Sequence, residues 1–221
     1  MSLKNIESII IKSENFQEFD VILSVMDFNK IYPIIALGVR KIKSKNRNGV
    51  LLGSYSELEF FEARLNNKTS KLKKAHLIKN FDLLNSENLL IVQELFKYIN
   101  KVNVNTQAVF NSYLECLDEF GKGNNFFIKT YIVNKTLFSL GLNVNYSFCY
   151  KCGTNQKLAN FSFFEGGFSC FKHSKNKLNA KILQSIYNLN ISFKKYVETT
   201  SAETNIFIFN ILKNYIDENT F

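Results

Sequence analysis

The sequence predicts an α+β protein, with strands in front, helices behind and a small inserted segment near the rear. Three observations lead there. Apolar residues alternate with a period near two through about residue 80. From Ser86 the period changes to 3.6. Two short pairs, Cys149-Tyr-Lys-Cys152 and Cys170-Phe-Lys-His173, then interrupt the helical pattern. The expected organisation is a front domain over residues 1–80 and a helical domain over residues 81–221, with the insertion at about 146–176.

In the front part, Ile6–Lys12, Phe19–Met26 and Ile31–Leu37 are β-branched or apolar runs of strand length, separated by polar turns. Pro33 cannot donate to a ladder, so the third run should hold an edge or bulge position. Glu57–Leu65 and Lys71–Ile78 read as a closing hairpin joined through Asn66-Asn-Lys-Thr-Ser70. Five short strands with one irregular stretch before the fourth fit a small barrel of OB type, with a sandwich fragment as the other arrangement.

The irregular stretch, Gly38 to Gly49, places Arg40, Lys41, Lys43, Lys45 and Arg47 close together with no acid among them. Their mutual repulsion is relieved by an anion, and a phosphate backbone adds counterion release. A second acid-free run spans Ala63 to Phe81 and carries Arg64, Lys68, Lys71, Lys73, Lys74 and Lys79. In a barrel, the two runs can share one flank and form a groove for a nucleic-acid strand. Arg40, Lys41, Lys43, Lys45, Arg47, Lys71, Lys73 and Lys74 are its expected contacts. Tyr32, Tyr55, Phe60 and Phe61 are candidate stacking platforms, although strand aromatics more often belong to a core.

Behind the strands, Leu89, Val92, Leu95, Phe96, Ile99 and Val102 mark one amphipathic helix. Val109, Phe110, Tyr113, Leu114, Leu117 and Phe120 mark a second, with Cys116 as a small buried hydrophobe. A third runs from about Asn125 to a C-terminal cap at Gly141. Each should carry one apolar stripe. Leu178–Leu189 and a last helix from about Ser201 complete the body, with Thr200-Ser-Ala-Glu203 fitting a capping box.

The double x-x spacing of Cys149, Cys152, Cys170 and His173 brings four soft or borderline ligands together as a tetrahedron, the pattern of a structural zinc site. Four protein ligands leave no position for a reacting water. A disulfide would leave His173 without a role. Gly153 suits a positive φ in the first turn, and Gly166-Gly167 a hairpin turn flanked by Phe161, Phe163, Phe164 and Phe168. The segment is expected to dock on the helical body.

Gly38-Val-Arg-Lys-Ile-Lys-Ser-Lys, followed by Gly49-Val-Leu-Leu-Gly-Ser-Tyr-Ser-Glu-Leu-Glu-Phe, resembles the N-terminal signature of the RecO family of bacterial recombination mediators. The likeness continues through Leu140-Gly-Leu, the metal pairs and Phe163-Phe-Glu-Gly-Gly-Phe-Ser-Cys170. It implies an OB-fold, a helical domain and a zinc finger. It also implies binding of single-stranded and double-stranded DNA, annealing of complementary strands, and cooperation with RecR and the single-strand-binding protein to load RecA. His173 stands where a fourth cysteine is common in zinc-bearing members, and the chain is short for the family.

The formal charge of +9 is uneven: 14 basic and 8 acidic residues over 1–80, 5 and 6 over 81–148, and 9 and 5 over 149–221. Two basic regions flank a nearly neutral middle, which favours a polyanionic partner. No apolar run is long enough to span a membrane, and Met1-Ser-Leu-Lys-Asn-Ile lacks a signal-peptide layout, so a cytoplasmic, nucleoid-associated protein is expected. Enzyme signatures are missing: Gly121-Lys-Gly-Asn124 is not a phosphate-binding loop, and no carboxylate cluster resembles a two-metal nuclease site. A Cys116–His76 nucleophile pair is the weaker reading beside a core cysteine and a surface histidine. Two other functions compete with DNA binding, namely a zinc-ribbon RNA-binding accessory protein and a zinc-dependent hydrolase or nuclease.

Overall fold

A computed structural model describes residues 2–63 and 68–220. Arg64 and Leu65, and the Asn66-Asn67 turn, lie outside these residues. The chain divides into two compact units, Met1–Gly121 and Lys122–Phe221. The mixed α+β character, with strands preceding helices, is as expected.

The first unit contains β1 (Leu3–Asn15), β2 (Val21–Met26), β3 (Ile31–Ala36), β4 (Tyr55–Phe61), β5 (Ser70–Lys79), α1 (Ser86–Ile99) and α2 (Gln107–Cys116). Its strands close in the order β1-β2-β3-β5-β4. β1 is longer than the apolar run Ile6–Lys12 because it serves two partners: Leu3–Ile9 pairs with β4, and Ile9–Asn15 pairs with β2. The register shifts between Ile10 and Lys12. Such a bulge bends a strand round a corner, and Ile9, Ile10 and Ile11 are consecutively buried there. Ile10, Leu23, Val25, Ile34, Leu58 and Phe60 fill the interior.

Pro33 pairs with Ser24 of β2, whereas β3 meets β5 only through Ile34↔Ser70 and Ile35↔Lys71. The proline is exposed and lies ahead of that short pairing, where no ladder donor is needed.

The change of period near residue 81 marks the passage from strands to helices, but the units part later, after Gly121. The reason is a set of specific bonds between the first two helices and the strands. Tyr113 Oη on α2, fully buried, donates to the Gly53 carbonyl (2.8 Å). Thr106 Oγ1 donates to the Asp27 carbonyl (2.7 Å), and Ile31 N–H donates to the Asn103 carbonyl (3.0 Å). The predicted stripes are the packed faces: Val92, Leu95, Phe96, Ile99 and Val102 are buried, as are Val109, Phe110, Tyr113, Cys116, Leu117 and Phe120.

The second unit contains α3 (Asn125–Ser139), β6 (Asn145–Cys149), β7 (Leu158–Ser162), β8 (Gly167–Cys170), α4 (Ala180–Ile191), α5 (Phe193–Thr199) and α6 (Ala202–Asn219). α3 departs from the single-stripe expectation. It packs against α4, α5 and α6 and buries Thr130, Asn134 and Thr136 along with Ile128, Ile132 and Val133. Edge-on aromatic pairs fix it: Phe126 with Phe209 (5.3 Å between centroids) and Phe127 with Tyr196 (5.9 Å). Gly141, at φ +75°, ends it, and Leu142 N–H reaches back to the Leu137 carbonyl (2.9 Å).

Two details differ from the sequence reading. The short helix α5 is additional; Ser192, which starts it, accepts from Lys195 N–H (3.4 Å). The cap of α6 is Ser201 rather than Thr200, since Ser201 Oγ accepts from Thr204 N–H (3.2 Å). Among the described residues no helix is long and apolar enough to cross a membrane.

Candidate nucleic-acid interface and candidate metal centre

The connection from β3 to β4 begins at Gly38, whose φ of +64° turns the chain out of the strand. Its N–H donates to Asp20 Oδ1 (2.7 Å), and Arg40 N–H donates to the Phe19 carbonyl (3.0 Å). Val39 and Val50 are buried and join the barrel core. Between these two anchors, Arg40, Lys41, Lys43, Lys45 and Arg47 are all exposed. Ion pairs among the described residues include Lys4–Glu62, Lys12–Glu14, Lys73–Glu59 and Lys79–Asp118, and none of the five loop cations has an acidic partner among the described residues.

Asn46 ties this loop to β5. Its Nδ2 donates to the Lys73 carbonyl (3.3 Å), and its Oδ1 accepts from Ala75 N–H (3.0 Å). β3 pairs with β5 only at Ser70 and Lys71. Beyond that point one carboxamide therefore serves the strand backbone as a neighbouring strand would. The loop's return presses Gly49 against the same place; a Cβ there would stand 2.8 Å from Ala75 Cβ. The basic segment Gly38–Gly49 and the β5 run thus meet on one flank of the barrel.

The β5 cations differ from those of the loop. Lys73 occupies an irregular position between the Glu59↔Lys74 and Phe60↔Leu72 pairs and is ion-paired with Glu59 (2.9 Å). Lys74 lines a polar cavity of about 300 Å³ with Asn5, Glu57, Glu59 and His76. Acids of β4 therefore offset part of the second basic run, which its own acid-free sequence could not reveal. Lys71 is exposed opposite Phe61. Arg64 is outside the described residues.

The four aromatic candidates separate clearly. Phe60 is core, 2% exposed, so it is no stacking platform. Tyr32 packs on Phe60 and donates to Asp27 Oδ2 (3.2 Å), and burial with the neighbouring carboxylate pushes its pKa up. Tyr55 lies edge-on to Phe110 and bonds to Glu7; partial burial and that carboxylate push its phenol to about 12. Phe61 remains, 38% exposed, with Lys73 Nζ 6.0 Å above its ring. The structure adds Phe19, 39% exposed, under Lys41 Nζ at 5.5 Å. In sequence Phe19 reads as the start of the second strand, but β2 begins at Val21.

In the second unit the sheet order is β6-β8-β7, with β6 parallel and β7 antiparallel to β8. Cys149 closes β6 and Cys170 closes β8. Each strand then folds into a tight turn. Gly153, at φ +71°, donates to the Cys149 carbonyl (2.9 Å), and His173 N–H donates to the Cys170 carbonyl (2.9 Å). Gly167 is required where β6 crosses, because a Cβ would fall 2.2 Å from the Asn145 carbonyl oxygen.

All four cysteines of the chain are free thiols. The four candidate ligand atoms of Cys149, Cys152, Cys170 and His173 lie within 4.8 Å of one another. Cys152 Sγ and Cys170 Sγ are 3.8 Å apart, and His173 Nδ1 is 3.6 Å from Cys149 Sγ and 3.4 Å from Cys170 Sγ. A tetrahedral zinc ion with ordinary bond lengths requires edges of about 3.8 Å between sulfurs and about 3.5 Å between sulfur and nitrogen. The donor set and the spacing fit. Burial disfavours the Cys149 thiolate, but backbone N–H groups of Cys170, Cys152 and Lys151 and the His173 ring outweigh it and bring its pKa down to about 6. The cluster can hold a metal ion, and the lowered thiol pKa eases the deprotonation that metal binding requires.

Aromatic packing joins this sheet to the helices of its own unit. Phe161 lies edge-on to Phe163 (4.9 Å) and Phe168 (5.0 Å), and Phe163 stacks on Tyr215 of α6 (5.7 Å). The apolar residues flanking the glycine turn thus form the docking face.

A family described as "Recombination protein O C terminal" matches residues 91–186, a stretch that includes all four Cys/His ligands. Three curated relatives named DNA repair protein RecO are similar to the chain. That of Mycoplasma mycoides subsp. mycoides is 32% identical over 136 residues, covering 61% of this chain and 46% of the relative. That of Mycoplasma capricolum subsp. capricolum is 31% identical over 147 residues, covering 66% and 52%. That of Mesoplasma florum is 27% identical over 169 residues, covering 72% and 62%. The chain spans about half the length of the curated relatives it matches. The family match and these relatives, with the Cys/His cluster inside the matched segment, support a place in the RecO family.

Proposed function

We propose that this chain is a DNA-repair protein that binds single-stranded DNA and promotes annealing without catalysing a chemical reaction. The supporting observation is the β3–β4 loop: five exposed cations with no acidic partner among the described residues, on a backbone tied to β5 by Asn46. A strand laid along this flank would release counterions and bring together phosphates that otherwise repel a complementary strand. Phe19 and Phe61, each under a lysine, offer faces for bases. The barrel is read as an OB-fold. The Cys/His cluster is read as a structural zinc site that fixes the β6–β8 sheet, with Cys149, Cys152, Cys170 and His173 as its ligands.

By family, the protein would work with RecR and the single-strand-binding protein to load RecA, and would contact double-stranded DNA as well. The names of the relatives support the DNA-repair role. The direct test is annealing of complementary oligonucleotides, with and without the single-strand-binding protein. Wild-type protein should accelerate pairing in both cases, and Arg40→Glu, Lys41→Glu, Lys43→Glu together should abolish the acceleration. Equal acceleration by the variant would exclude the loop. Tighter binding to RNA than to DNA of matched sequence would move the target to RNA.

A further inference from the structure

We infer that the tips of the two metal turns form a second single-stranded nucleic-acid contact, separate from the barrel loop. Each turn carries the same kind of dipeptide between its ligands: Tyr150-Lys151 between Cys149 and Cys152, and Phe171-Lys172 between Cys170 and His173. Ligand geometry does not require an aromatic residue followed by a lysine at these places. Phe171 is 58% exposed, and Lys151, Lys157, Lys172, Lys175 and Lys177 are all exposed.

The topology gathers these residues at one end. β6 and β8 run parallel, so both turns leave the same end of the sheet. Antiparallel β7 begins at that end, and Phe171 N–H donates to the Lys157 carbonyl (3.0 Å). Glu165 is the sole acid between Glu119 and Glu198, and it sits in the β7–β8 turn at the opposite end. The tip is therefore positive with no acid of its own stretch beside it. Lys177 Nζ lies 3.7 Å from the centre of the Phe171 ring, and Lys151 Nζ lies 5.5 Å from that of Tyr150. Aromatic rings set among cations at one end of a sheet are the chemistry that takes up bases and the phosphates between them. An acidic peptide would meet the charge but make no use of the aromatic rings, whereas a base can stack on a ring face that a lysine does not cover.

The experiment uses the full zinc-loaded chain and labelled oligo-dT. In protein already carrying Arg40→Glu, Lys41→Glu and Lys43→Glu, residual binding should fall about tenfold or more when Tyr150→Ala and Phe171→Ala are added. A second variant, Lys151→Gln, Lys172→Gln and Lys177→Gln, should flatten the log–log salt slope by about 0.7 for each phosphate no longer neutralised. Photocrosslinking of wild-type protein to an oligonucleotide containing 5-iodouracil should give adducts at Tyr150 or Phe171. Absence of residual binding, unchanged affinity in both variants, or adducts confined to barrel residues overturns the proposal. So does retention by the tip of an acidic peptide that oligo-dT cannot displace. Failure of the barrel site alone would leave the Tyr150 and Phe171 adducts in place, so failure of either site can be told from failure of the other.

Discussion

The β3–β4 loop and the Cys/His turns are both short, basic and irregular, yet they are held in shape by different physics. The loop is fixed by its surroundings: Val39 and Val50 sink into the barrel core, and Asn46 bonds to the backbone of β5. The turns are fixed by one another, because Cys149, Cys152, Cys170 and His173 converge on a single point. A loop of the first kind should tolerate changes to its exposed cations and respond in a graded way to its anchors. The second kind should be all-or-none in its ligands.

On the proposed zinc reading, the largest expected effect is metal removal. Apparent binding energies of structural zinc sites are about 10–16 kcal/mol, so chelation, or Cys149→Ser with Cys152→Ser, should unfold the β6–β8 sheet. Calorimetry or hydrogen exchange should show the second unit losing protection while the barrel amides keep theirs. An unchanged melting profile in metal-free protein would remove the distinction between the two regions.

Next comes Gly53→Ala. Gly53 has φ +79°, and a Cβ there would stand 2.4 Å from the Phe81 ring and 2.9 Å from Tyr113 Oη. Backbone strain and steric overlap together should destabilise the first unit by about 2 kcal/mol or more, read as a lower denaturation midpoint. Asn46→Ala should be milder, about 1–3 kcal/mol, because it orphans Ala75 N–H and the Lys73 carbonyl. Faster amide exchange at Ala75 would report the freed strand. The smallest stability change belongs to Arg40→Glu, Lys41→Glu and Lys43→Glu, within about 0.5 kcal/mol, since all three side chains are exposed.

The same contrast governs what is legible in the residues alone. The Cys/His spacing is legible because ligand chemistry leaves few alternatives, and Gly153 and Gly167 occupy positive-φ positions, Gly167 at the start of β8 with the closest approach. The loop cations are legible as a charge run. The role of Asn46 is not, because it depends on β3 ending its pairing with β5 at Lys71, a consequence of closing the sheet. Phe60 misleads as a stacking candidate, since an aromatic in a strand shows the same alternation whether it faces in or out. Lys73 gives no sign of its acidic partner, because Glu59 is brought to it only by cross-strand register. The Gly49 to Phe60 motif carries the family resemblance, and its two glycines mark where β5, Phe81 and Tyr113 press on the returning loop.

The central claim is that the loop's unpaired cations meet phosphates. The salt dependence of oligo-dT binding tests it directly. Arg40→Glu, Lys41→Glu, Lys43→Glu should flatten the log–log slope by about 0.7 for each phosphate the loop ceases to neutralise, while melting stays unchanged. A slope identical to wild type, with affinity unaltered, would contradict it.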